Sequence, residues 1–139
     1  MKTLYFLFTL FLFISFHRSF GQQQLTDTLY VESVDFNILT FSSISCGNFA
    51  TNFKDRMRFR TIADKDTIKT LDSFLSKVRY LKKDIDVDVR AKFIFEKGDK
   101  STITICTNGY EIEVDNRRIK HNSKFADFLR NLAGNGYKP

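Results

Sequence analysis

Residues 87–119 read VDVRAKFIFEKGDKSTITICTNGYEIEVDNRRI, and this stretch decides the fold. Val87, Val89, Ala91, Phe93 and Phe95 alternate with Asp88, Arg90, Lys92 and Glu96, the two-residue period of a strand with one buried and one charged face. Gly98-Asp99 marks a turn, Ile103 and Ile105 a second strand, and Tyr110, Ile112 and Val114 a third. Asn108-Gly109 carries the signature of a two-residue type I′ hairpin. That turn would set Thr107 opposite Tyr110, Ile105 opposite Ile112 and Ile103 opposite Val114, all apolar side chains on one face. A two-residue Gly98-Asp99 turn would mix the faces, so a loop of three or five residues is predicted, with Phe93 beside Ile103 and Ala91 beside Ile105. Asp115-Asn116 then turns the chain into a short strand. There Ile119 faces Ile112, Glu113 faces Arg118 and Glu111 faces Lys120.

Two helices flank this meander. Ile68, Leu71, Phe74, Leu75, Val78 and Leu81 recur at three- and four-residue spacing, one apolar stripe, with Asp64 or Asp66 as cap and Lys82 and Lys83 at the end. Phe125, Phe128, Leu129 and Leu132 form a second stripe, started by Asn122 or Ser123 and stopped at Gly134. Upstream, residues 29–46 lack Gly and Pro and are rich in β-branched and aromatic residues, which predicts a long strand. Leu39 and Phe41 break the parity of Val34, Phe36, Ile38 and Ile44, so that strand is expected to bend or to be apolar on both faces. Residues 54–62 alternate as a further strand. The expectation is an α+β two-layer sandwich: a mostly antiparallel sheet of five or six strands, two helices on one face, order ββαββββα.

The N-terminus gives an address. Lys2 precedes an apolar run over residues 4–16 broken by Thr9 and Ser15, and Ser19 and Gly21 are small residues at −3 and −1 of a cut before Gln22. This is the pattern of a cleaved secretory signal, and the run falls short of the roughly 20 residues needed to span a bilayer. The reading is therefore residues 1–21 as signal peptide, 22–28 as a flexible lead, 29–134 as one α+β domain and 135–139 as a tail. Localisation is secreted or periplasmic, with no membrane span in the mature chain. Removing 21 of 139 residues takes Lys2 and Arg18 with them and leaves 20 basic against 16 acidic residues, a net +4 instead of +6. That is mildly basic, without the dense patch of a nucleic-acid binder, and no nucleic-acid partner is expected.

Cys46 and Cys106 are the only cysteines, and in an oxidising compartment they are expected to form a disulfide. The hairpin parity points Cys106 away from the helices, so Cys46 must reach that opposite face. A catalytic alternative would pair Cys106 with His121, the single histidine after the signal segment. The carboxylate pairs Asp86/Asp88 and Glu111/Glu113/Asp115 lie where strand faces offer ion pairs with Arg and Lys. No metal-ligand spacing, phosphate loop or nucleophile motif occurs, so neither a metal nor a cofactor is predicted.

The sharpest binding hint is the series Lys54, Arg56, Arg58 and Arg60, four cations on one parity with Met57 and Phe59 on the other. At about 7 Å spacing they would suit an anionic polymer, an acidic protein surface or lipid head groups. The expected function is a small exported binding protein without catalysis, contacting an anionic or macromolecular partner through this basic strand face. The alternative is a small secreted hydrolase using surface carboxylates or Cys106.

Overall fold

The computed structural model describes residues 26–82 and 86–134, so the expected signal segment, most of the expected lead, Lys83 and the tail lie outside the described residues. Six strands form one antiparallel sheet: β1 (Thr28–Ser33), β2 (Arg58–Ile62), β3 (Ala91–Glu96), β4 (Thr102–Thr107), β5 (Ile112–Val114) and β6 (Arg117–Arg118). Their spatial order is β2-β1-β3-β4-β5-β6. The helices are a single turn, α1 (Phe49–Asn52), then α2 (Lys65–Leu75) and α3 (Ser123–Leu132). Apart from α1, this is the expected ββαββββα order of an α+β fold.

One sheet face makes the main core. Leu29, Val31, Ile62, Phe93, Phe95, Ile105, Ile112, Val114 and Ile119 are buried there with Ile68 and Leu71 of α2 and with Phe125, Ala126 and Leu129 of α3. The helices also meet each other, with the Phe74 and Phe125 rings stacked at 4.8 Å. Both helix starts follow their caps. The Asp64 carboxylate accepts from the Thr67 N–H, and Asn122 Oδ1 accepts from the Phe125 N–H. Asn122→Ala should cost about 1 kcal/mol in chemical denaturation. No measurable loss would show that α3 is held by packing alone.

Several local expectations are corrected. The β3–β4 loop is long as predicted, five residues over 97–101, but Phe93 faces Ile105 and Phe95 faces Ile103. The β4–β5 connection is not a two-residue turn: Thr107 faces Ile112 and Ile105 faces Val114. Here Asn108 Oδ1 accepts from the Tyr110 and Glu111 N–H groups, and the Thr107 hydroxyl bridges Gly109 and Glu111. Side chains thus close a four-residue loop. Both registers differ from expectation by two residues, which keeps every apolar side chain on its intended face. The left-handed pair that a type I′ turn needs occurs instead at Asp115 (φ 49°) and Asn116 (φ 60°). Beyond it, Glu113 faces Arg118, and the Ile119 N–H donates to Ile112 O.

The long first strand stops at Ser33. The chain turns at Asp35, whose carboxylate accepts from the Asn37 N–H, and then crosses the second sheet face as a loop. Helix α2 ends early because residues 79–81 leave it to edge the sheet, where the Leu81 N–H donates to Arg118 O and the Lys120 N–H to Arg79 O. Val87 and Val89 lie outside β3. They pack with Val34, Ile44, Cys46, Phe49, Phe53 and Cys106 into a second, smaller core on the face opposite α2 and α3.

Candidate functional site

The basic residues divide differently from the sequence spacing. Only Arg58 and Arg60 lie on β2; Lys54 and Arg56 sit in the turn after α1, where the Arg56 N–H donates to Phe53 O at 2.8 Å. All four side chains are exposed. The register sets Arg60 against Val31 and Ile62 against Leu29, so Arg58 and Arg60 rise on the helix side of the sheet. The Arg60 guanidinium reaches Leu132 O at the end of α3 (3.4 Å), where a cation suits the helix dipole. Phe59, on the other parity as its spacing predicts, stands 68% exposed on the opposite face.

Arg79, Arg117, Arg118 and Lys120 do not extend this group. Arg117 and Arg118 form β6, and Arg79 and Lys120 flank the Tyr80–Ile119 bridge at the opposite edge, about 24 Å away across five inter-strand spacings. There Arg118 pairs with Glu111, and the Arg117 guanidinium lies 4.0 Å from the Tyr80 ring centroid. Lys77, Arg79, Lys120, His121 and Lys124 line a cleft between the end of α2 and the start of α3, with no carboxylate among the described lining residues.

The Cys46–Cys106 disulfide is formed, with a Cα–Cα distance of 5.8 Å, and the chain after β1 crosses Cys106 as required. Oxidised Cys106 has no thiolate for a pairing with His121, whose Nδ1 lies 3.2 Å from Tyr110 O. Among the carboxylates, Asp115 accepts from the Thr104 N–H and Glu111 pairs with Arg118. Glu32 has one buried oxygen, Oε2, without a hydrogen-bond partner among the described residues.

The most constructed feature is one that the spacing did not single out. Arg90, only 6% exposed, binds the Asp88 carboxylate through both Nη1 (2.7 Å) and Nη2 (2.8 Å). Its Nε donates to Ile38 O and its Nη2 to Thr40 Oγ1, both at 3.1 Å. Asp88 Oδ1 also accepts from the Ile44 N–H at 2.8 Å. Burial pushes the Asp88 carboxyl up, but the Arg90 hydrogen bonds and the Ile44 N–H outweigh it and hold the group below the usual carboxylate range. The pair fixes a loop over residues 35–43, closed at its base by Val34 N–H to Arg90 O (2.9 Å) and Val89 N–H to Ile44 O (2.8 Å). Off-parity Leu39 and Phe41 were the one sequence signal of this loop.

Compared with known proteins, the chain matches no protein-family model, no curated protein and no solved structure.

Proposed function

We propose that the protein is exported by its N-terminal signal segment and acts as a small non-enzymatic binding module. It engages an anionic or macromolecular partner through the edge formed by Lys54, Arg56, Arg58 and Arg60. The observation carrying this reading is the exposure of all four cations along a turn and strand that border the sheet. Strand β2 pairs with β1 alone, and a charged outer edge resists strand addition. The disulfide suits an oxidising compartment outside the cytoplasm, and no described helix is long and apolar enough to cross a membrane.

The test is retention on an anionic matrix across a salt gradient. Lys54→Glu with Arg56→Glu should elute at clearly lower salt than wild type, with an unchanged melting temperature. Lys120→Glu with Lys124→Glu makes the same change in net charge at the far edge and should elute close to wild type. Equal losses from the two pairs would mean that net charge alone, and not this edge, causes retention.

A further inference from the structure

Leu39 is 95% exposed and Phe41 114% exposed, so both side chains stand free of the protein surface. They are not stray residues of a loose segment. Ile38 packs inward on the second core, and the Thr40 hydroxyl is held by Arg90, so the loop alternates inward at 38 and 40 and outward at 39 and 41. The Arg90–Asp88 pair and the two backbone bonds at the base fix that alternation. A buried cation thus holds two large apolar side chains in water, an arrangement that stabilises nothing within the monomer.

Cations lie beside them. Arg56 lines the same shallow concavity as Leu39, Thr40 and Phe41, and Lys54 precedes it in the same exposed turn. Asp55 lies between the two, leaving the turn net positive. Two apolar side chains projecting next to Lys and Arg match the boundary of an anionic bilayer, where acyl chains take the former and phosphates the latter. Side chains this exposed need no shaped pocket in their partner.

We infer that the loop over residues 35–43 inserts Leu39 and Phe41 into an anionic lipid surface while Lys54 and Arg56 contact the lipid phosphates. This rests on the proposed role of the basic edge and names its partner as a membrane surface. Sedimentation with phosphatidylcholine vesicles, with and without phosphatidylglycerol, tests it. Wild type should pellet with the anionic vesicles and stay in solution with the neutral ones. Leu39→Ser with Phe41→Ser should lower that partitioning by roughly a hundredfold, about tenfold per side chain, and leave both melting temperature and retention on the anionic matrix unchanged. Since the chain has no Trp, Phe41→Trp puts a single indole at the tip, whose emission should shift to the blue with anionic vesicles.

Wild type that is retained on the matrix but ignores anionic vesicles overturns the lipid inference and leaves the basic-edge reading standing. Loss of both behaviours removes both. Vesicle binding undiminished in the double serine variant overturns the insertion, as does self-association through Leu39 and Phe41 without vesicle binding.

Discussion

Cys46→Ser with Cys106→Ser is expected to lower the unfolding free energy by about 4 kcal/mol and the melting temperature by roughly 12–20 °C. The disulfide spans 60 residues of sequence. Opening it returns that loop's freedom to the unfolded chain. The native state loses a second thing. Between Ser33 and Arg58 the chain has one helical turn and no strand, so its placement depends on the small core of Val34, Ile44, Phe49, Phe53, Val87 and Val89 around the two sulfurs. The main core of the sheet, α2 and α3 contains neither cysteine. The variant should therefore retain native far-ultraviolet dichroism at low temperature while amides of residues 34–57 lose exchange protection first. Reductant added to wild type should reproduce both effects. A stability change under about 1 kcal/mol would show that the unfolded chain is already restricted without the bond.

How much of this was legible in the sequence depended on whether the deciding partner was local. Alternation in Phe93/Phe95, Ile103/Ile105 and Ile112/Val114 specifies a face, and that face is correct throughout. Pairing partners are another matter. Shifts of two residues leave the burial pattern intact, so periodicity cannot separate them, and side-chain bonds from Asn108 and Thr107 chose the observed register. The end of β1 was illegible for a related reason. Residues 34–46 have strand composition, but the group that claims Ile38 O is Arg90, 52 positions away. For the basic edge the warning was present: Ile62 shares the parity of Arg58 and Arg60, so a strand that buries Ile62 turns those arginines to the helix side. Lys54 and Arg56 left the ladder because a helical turn at 49–52 delayed the start of β2.

Arg90→Met is expected to cost about 2–4 kcal/mol, the lower part of the range for breaking a buried ion pair being set by the partial exposure of Asp88. Methionine retains much of the side-chain volume, so the loss would report on the charged group more than on packing. It leaves Asp88 facing a half-buried site without its cation and frees Ile38 O and Thr40 Oγ1, so the loop should open before the sheet does. Asp88→Asn provides the pH signature. The folded carboxyl lies below its ordinary value, so its stabilisation is complete above the unfolded value of about 3.9 and is lost as pH falls through the folded one. The stability gap between wild type and Asp88→Asn should then be flat from about pH 7 to pH 5 and begin to close as pH falls below the unfolded value of about 3.9, as measured by urea denaturation. A gap that widens on acidification would reverse the sign of the linkage and remove the ion pair as the anchor of the loop. If instead the gap closes as expected, Arg90→Met should also weaken anionic-vesicle binding with Leu39 and Phe41 still in place, because the tip would no longer be held outward.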